Sequence, residues 1–364
     1  DGNVQWRCSR QGMSGATLMA ADAGTVYSVN WDGVLFRVDS GTGGFTDWAG
    51  TGSTDLAMNA LVTAVPEAER GTLRANALTA ARGKLFVGYR AQNLVLVLDA
   101  TTGTLVKELT IAEPVDFEAG PDGTLFVISA GTGVLAVNPE SGEARPFIQG
   151  LTAAAGIAVD AQGKVYVGVG EPDNQVKVYD ATGKATGTIG RQGGRQLLGT
   201  WQPDGLRFIS GMAVDGNGRL WVMESDSFPK RVSVWDVTTG GLYKEFFGPT
   251  SYGALGGAIN PRDPMTMVGQ GCEWKLDPKT GKAACVAVIS RNGMENSRFG
   301  IGTNGRLYLA AATRWQFDLG AVGFFERRGE GDWVRRAKLW YVDKEGTDIP
   351  PPAHGQTGAA AQTA

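Results

Sequence analysis

Histidine is almost absent from this chain of 364 residues, because its one histidine is His354, close to the C-terminal end. A Ser-His-Asp triad, a His-ligated zinc site and a histidine general base all need an imidazole beside the reacting atoms. The sequence before the tail therefore excludes these three kinds of site. Any catalysis there has to use carboxylates or other side chains.

Cysteine is also rare, with three residues: Cys8, Cys272 and Cys285. No CxxC pair is present, so a zinc site of that type is not predicted. Cys272 and Cys285 flank the turn at 277–281 on strands that should pair. A two-residue turn would set the two cysteines opposite each other, whereas a bulge at Gly281 would shift the register by one. A disulfide and two buried free thiols both stay open, and free thiols are favoured.

Neither charge nor hydrophobicity is concentrated in one part of the chain. There are 34 basic and 37 acidic residues, which gives a formal charge of −3. Generic nucleic-acid binding needs a basic face, and this balance argues against it. No segment is long and apolar enough to predict a membrane-spanning helix.

The sequence is rich in glycine, with 54 residues, and contains one sequence motif that is repeated seven times. The first half is a strand after a turn glycine, as in Gly83-Lys84-Leu85-Phe86 and Gly163-Lys164-Val165-Tyr166. The second half is an Asp-x-x-x-Gly turn, as at Asp99. A period of roughly 40 residues with several short strands is typical of a β-propeller.

The repeat predicts an all-β fold, a seven-bladed β-propeller of four-stranded blades over residues 14–341, with six blades as the alternative. In the fourth repeat the predicted strands are 156–159, 165–167, 176–179 and 186–189. Residues 1–13 are expected to form a closing segment, and 342–364 a tail or linker. The spacing between repeats is longer at 51–75 and 191–208. In a propeller both connections open on the face that carries the loops between second and third strands. Loops on a rigid scaffold commonly bind ligands, so that face is the functional candidate.

The fourth repeat carries a resemblance to a known family. Its segments Gly156-Ile157-Ala158-Val159-Asp160, Gly163–Val167 and Val176–Asp180 resemble an NHL repeat, and the fifth repeat follows the same pattern. The first three repeats resemble, more loosely, bacterial NHL and YVTN-type propellers, while the sixth and seventh depart. The resemblance implies the fold and says little about function. With the absent start methionine, it favours an extracellular or cell-envelope location, as one part of a larger bacterial protein.

Several carboxylates should lie on the functional face: Asp32, Asp116, Glu118, Glu171, Asp173, Glu224, Asp226 and Asp318. Oxygen ligands of this kind suit Ca²⁺, and a carboxylate pair can also perform acid–base chemistry. The simpler interpretation, which we favour, is a set of solvated loop acids balanced by nearby Lys and Arg. No metal ligands are assigned, and no other cofactor is expected.

Aromatic residues in loops form a second candidate set: Trp31, Trp201, Phe228 and Trp315. Such side chains stack on sugar rings or anchor peptides. Ordinary packing within the loops is the competing interpretation.

The sequence favours a non-catalytic binding or scaffold propeller whose ligand is a protein, a peptide or a glycan. The expected contacts are Trp31, Arg90, Asp116, Glu224, Asp226, Phe228, Arg298 and Trp315. The alternative is a carboxylate-based lyase or hydrolase, with or without Ca²⁺, that uses Glu224, Asp226 and Asp116. RNA binding, known for some NHL propellers, would require a basic face.

Overall fold

The structure is a computed structural model that describes residues 5–8, 18–30, 32–226, 228–248, 257–269, 271–289, 298–301, 306–313, 317–339, 341–342 and 348–349. For residues 298–326 and from 334 onward, it describes strands and not side chains. The chain divides into two compact units. Unit one contains Asp1–Gly190, Ile209–Val222 and Trp235–Gly241, and unit two contains Arg191–Phe208, Met223–Val234 and Leu242–Ala364.

The first four sheets follow one another along the chain. Sheet one contains β1 (Leu18–Asp22), β2 (Thr25–Val29), β3 (Val34–Asp39), β4 (Phe45–Thr46) and β5 (Asp55–Ala57). Sheet two contains β6 (Ala77–Ala81), β7 (Lys84–Tyr89), β8 (Leu94–Asp99) and β9 (Leu105–Thr110). Sheet three contains β10 (Pro114–Ala119), β11 (Leu125–Ser129), β12 (Gly133–Val137) and β13 (Ala144–Gln149). Sheet four contains β14 (Ala154–Val159), β15 (Val165–Val169), β16 (Val176–Tyr179) and β17 (Ala185–Ile189).

Three more sheets complete the pattern, after the short strand β18 (Gly199–Thr200). Sheet five contains β19 (Ile209–Val214), β20 (Arg219–Glu224), β21 (Lys230–Asp236) and β22 (Leu242–Gly248). Sheet six contains β23 (Ala258–Asn260), β24 (Asp263–Gly269), β25 (Cys272–Asp277) and β26 (Lys282–Val288), and β18 pairs with β26. Sheet seven contains β27 (Arg298–Ile301), β28 (Arg306–Thr313), β29 (Phe317–Gly329) and β30 (Asp332–Leu339). The strands β31 (Tyr341–Val342) and β32 (Asp348–Ile349) form a separate pair.

Helix is confined to short 3-10 turns in the described residues: Met58–Leu61, Glu67–Thr72 and Arg90–Gln92. None of the helices described is long and apolar enough to cross a bilayer. The all-β class is therefore confirmed, with seven sheets whose four main strands are antiparallel and consecutive along the chain.

The repeated aspartate builds the turn between the third and fourth strands. In sheet two, one carboxylate oxygen of Asp99 accepts the backbone N–H groups of Thr101 and Thr102 at 2.9 and 2.7 Å. These hydrogen bonds lower the pKa of Asp99. Gly103 follows with a φ of 73°, a left-handed conformation that glycine adopts without steric cost. The spacing of Asp and Gly in the repeat thus follows from the geometry of one turn.

Within unit one, the first strands of successive sheets are neighbours in the order β1, β6, β10, β14 and β19. Apolar side chains fill the space between adjacent sheets. One cluster joins sheets one and two around Leu35 and Leu85, and another joins sheets three and four around Ile128 and Val167. Burial of these layers supplies the main favourable free energy that holds the sheets together.

The insertion at 51–75 is part of the core of unit one. Its side chains Met58, Val62 and Leu73 are buried, and β5 pairs with β3. The hydroxyl of Tyr89 donates to Asn59 Oδ1 at 2.7 Å, and Asn59 Nδ2 donates to the carbonyl of Leu73 at 3.2 Å. Buried apolar side chains and buried hydrogen bonds therefore hold the insertion in place.

The predicted closing segment, 1–13, is described only at residues 5–8. There the indole of Trp6 donates to the carbonyl of Ser40 at 2.7 Å and lies against Gly43. This contact is with the turn between β3 and β4 of sheet one. A role in closure stays a prediction, as do the boundaries of the tail.

Candidate functional site

Glu224 and Asp226, the two acids that the sequence placed on an exposed face, lie in a buried ion-pair cluster in unit two. The Arg195 guanidinium is 2.8 Å from Glu224 Oε2 and 3.0 Å from Asp226 Oδ2. Arg231 donates to Glu224 Oε1 at 2.9 Å. The side chains of the four residues are 0–2% exposed. These four side chains are therefore shielded from solvent.

Trp201 completes this cluster from the insertion Arg191–Phe208. Its ring lies 5.2 Å from the Arg195 guanidinium carbon and 5.3 Å from that of Arg231, within range of a cation–π contact. Its indole N–H donates to Glu245 at 3.3 Å, and Arg231 also donates to Glu245 at 3.0 Å. Arg231 reaches the carbonyls of Pro203 and Gly205 as well. The cluster thus holds the insertion against β21 and β22.

The electrostatics of the cluster are those of a structural ion-pair network. Burial raises the pKa of Glu224, although the guanidiniums of Arg195 and Arg231 oppose that rise. Burial likewise raises the pKa of Glu245. A carboxylate enclosed by two guanidiniums is not available to a substrate, because binding would first have to break these buried pairs.

Glu224 and Asp226 are therefore not the solvated loop acids that the sequence favoured, whereas burial of Phe228 agrees with ordinary packing, the competing interpretation of the loop aromatic residues. Phe228 is 8% exposed and packs in a hydrophobic cluster with Trp201 and Trp274. Sequence reasoning missed Arg195, since an arginine in a glycine-rich loop gives no local sign of burial. A ligand-binding role for these three residues stays a prediction.

Asp116 and Arg90 lie in unit one and make different kinds of contact. Asp116 is half-buried on β10, and its Oδ2 accepts the backbone N–H of Ile157 on β14 at 3.0 Å. Burial raises the pKa of Asp116 to about 7. Arg90 is exposed and pairs with Glu113 at 3.0 Å. Asp116 therefore links two first strands and titrates near neutral pH, whereas Arg90 makes a surface ion pair.

Three predicted contacts remain: Trp31, Arg298 and Trp315. Trp31 and Trp315 lie outside the described residues, and Arg298 is placed only as the first residue of β27. Within the residues described, no three His, Cys, Asp or Glu side chains are grouped as metal ligands, and calcium binding stays a prediction.

Cys272 and Cys285 are free, buried and close together. In the register of β25 and β26, Cys272 lies opposite Val288 and Cys285 opposite Trp274, with a shift between Glu273 and Trp274. The two cysteines nevertheless share one hydrophobic cluster. Contact with Cys272 and burial raise the pKa of the Cys285 thiol, so the neutral thiol is strongly favoured.

A groove of about 440 Å³ opens in unit one beside sheets three and four. Its lining combines apolar and polar groups in similar measure: Gly150, Leu151, Thr152, Val169, Asp173, Lys177, Tyr179, Ala185, Gly187 and Thr188. Two of the lining residues, Lys177 and Asp173, form an ion pair at 2.5 Å. Leu151, Val169 and Tyr179 belong to the cluster between the two sheets, so the floor of the groove is the edge of the core.

The outer wall of this groove is β17, the last strand of sheet four. Its first four residues are exposed, and Ile189 alone is buried. Sequence reasoning identified the strand but assigned it no role. The one local signal was the glycine in the middle of Ala185-Thr186-Gly187-Thr188-Ile189.

No family model matches the sequence, and no curated protein matches it. Among solved structures, the chain is similar to the hydrazine synthase of Kuenenia stuttgartiensis, with a TM-score of 0.44 and 15% identity over 85% of this chain and 96% of that one. It is also similar to the computationally designed Ika8 protein, with a TM-score of 0.41 and 15% identity over 89% of this chain and 86% of the other. These scores are too low to assign a family, an activity or a partner.

Proposed function

We propose that the chain is a seven-bladed, NHL-like propeller that acts as a non-catalytic binding or scaffold module. Its ligand is a segment of a protein or a peptide, held in the groove beside β17. The observation that carries the proposal is this groove of about 440 Å³, in which an apolar floor is bordered by polar groups. Ligand sites in proteins commonly combine these features.

Two further observations support binding rather than catalysis. The carboxylates Glu224 and Asp226 are held by arginines inside unit two. In the groove, the charged groups Lys177 and Asp173 already neutralise each other. The rival proposal, a carboxylate-based enzyme, is supported best by Asp116, because a pKa of about 7 suits a general acid or base at neutral pH.

The proposal is tested by selecting peptides from a random dodecapeptide display library on the immobilised full chain, with a glycan array in parallel. Recovered peptides should bind the protein in solution. Thr152→Trp, which places a large ring in the exposed mouth of the groove, should weaken them at least tenfold. Gln162→Trp, on an exposed turn of sheet four, is the matched control and should leave binding unchanged.

Recovery of no peptide, or equal binding by the Thr152→Trp and wild-type chains, would overturn the proposal. Turnover of a glycan substrate that is lost in Asp116→Asn would favour the enzyme instead. Both variants are checked for folding by their thermal melts.

A further inference from the structure

Gly187 lies within a strand, and no neighbouring atom of the described residues would prevent a larger side chain at this position. Two other glycines lie within strands of sheet four, and both face close neighbours. A Cβ at Gly168 would come within 2.6 Å of Ile209, and one at Gly156 would lie 3.5 Å from Ile209 and Met212. A Cβ at Gly187 would meet nothing within 4 Å.

Backbone conformation does not require this glycine either, because Gly187 is not among the residues with positive φ. Glycine inside a strand weakens it, since it adds backbone entropy to the unfolded chain and offers no side chain to pack. An open strand glycine that faces a groove is typical of a place where another backbone approaches closely.

The edge that β17 presents is also unprotected. Exposed edge strands are usually guarded by charged residues or proline, which prevent pairing with another chain. The outer strand β9 carries Lys107 and Glu108, and β13 carries Arg145 and Pro146. From Ala185 to Ile189, β17 has no charged residue and no proline. In the order of sheet four, β17 has β16 as its neighbour on one side alone.

We infer that β17 accepts an extended peptide strand, which pairs with its outer edge and passes over Gly187. This inference rests on the proposed function and specifies its binding mode. A peptide backbone supplies the alternating donors and acceptors that a strand edge requires. Alternate side chains of the ligand enter the groove, where Leu151, Val169 and Tyr179 favour uncharged aliphatic groups. The partner is therefore an extended, largely uncharged segment of another polypeptide.

The test uses peptides recovered from the library and two matched variants of the full chain. Gly187→Val fills the open space without a backbone conflict, so the fold should melt at the same or a higher temperature. It should weaken peptide binding at least tenfold. Thr186→Val puts a valine on the neighbouring residue, which does not line the groove, and removes only the hydroxyl that donates to the carbonyl of Val178 at 3.2 Å. This variant should bind like the wild type.

Peptide chemistry provides a second readout that does not depend on any variant. On a strand that pairs along one edge, every second N–H faces the partner. N-methylation of one alternate set of residues should therefore abolish binding, and methylation of the other set should be tolerated. Equal effects of the two sets, or unchanged binding by Gly187→Val, would overturn strand pairing while peptide binding itself stood.

Self-association would also overturn the inferred occupant. Size-exclusion chromatography with light scattering should give a monomer mass for the wild-type chain across the concentrations used for binding. A dimer that disappears in Gly187→Val would mean that a second copy, and not a peptide, pairs with β17. If no library peptide binds at all, the proposed function fails first and the inference with it.

Discussion

Replacing Arg231 with methionine should release the insertion Arg191–Phe208 from the rest of unit two. The substitution keeps most of the side-chain volume but removes a guanidinium that contacts Glu224, Glu245 and two backbone carbonyls. Breaking a buried ion pair by removing one partner costs about 3–5 kcal/mol. Because Glu224 and Glu245 keep their desolvation after the partner is lost, we expect the effect to fall within this range.

Amide hydrogen exchange over residues 191–208 measures the result locally. A cost of about 3–5 kcal/mol corresponds to opening that is on the order of a hundred- to several-thousandfold more frequent, since about 1.4 kcal/mol is a factor of ten. The control is Arg191→Met in the same insertion. Arg191 also pairs with a carboxylate, Asp204, at 2.9 Å, but these side chains are 47% and 52% exposed. An exposed pair contributes about 1 kcal/mol or less.

Equal exchange in the two variants would refute the reasoning, because it would mean that burial adds nothing to the Arg231 pairs. A Glu224→Gln variant would disturb the same buried pairs with Arg195 and Arg231. Loss of that variant's activity or binding would reflect a destabilised cluster and would not identify a catalytic acid.

Three other predictions concern single groups. Since the pKa of Asp116 is raised to about 7, the folded state holds the extra proton between about pH 4 and 7, and stability falls as the pH rises through that window. Urea midpoints should show a smaller fall in Asp116→Asn than in the wild type, and the part that stays belongs to other carboxyls whose pKa is raised by burial, such as Glu118 and Glu224. Tyr89→Phe leaves Asn59 Oδ1 without its buried donor and should lower the free energy of unfolding by about 1–3 kcal/mol in the same urea titration. Thiol titration after denaturation should count all three cysteines as free, and a count of one would mean that Cys272 and Cys285 form a disulfide.

The sheets could be predicted from the sequence because each one is built from local signals. In sheet four the sequence placed strands at 156–159, 165–167, 176–179 and 186–189, and the observed strands differ at their ends by at most two residues. Turn residues such as Asp99 and Gly103 act within five positions of each other. Because each turn depends on neighbouring residues, the repeat can be recognised in the sequence without knowledge of the tertiary contacts.

The buried cluster could not be predicted in the same way. Asp226 and Arg195 are 31 positions apart, and the pair forms only once an insertion has folded back on sheet five. A carboxylate at the end of a strand looks the same in the sequence whether it faces solvent or a guanidinium. The groove beside β17 is equally non-local, because its lining comes from residues 150–152 and from the three later strands β15, β16 and β17.

The insertion at 51–75 sets a limit on how the chain can be shortened or grafted. Its length is an excess when repeats are counted, but Met58, Val62 and Leu73 are as buried as any strand residue. Deleting the segment would therefore open a cavity in the cluster that joins sheets one and two, at a cost of several kcal/mol for each large side chain. The stretch from Gly50 to Gly52 is different, since a Cβ at either glycine meets nothing within 4 Å. Foreign loops should be inserted at that tip, with the buried part of the segment retained as a fixed base.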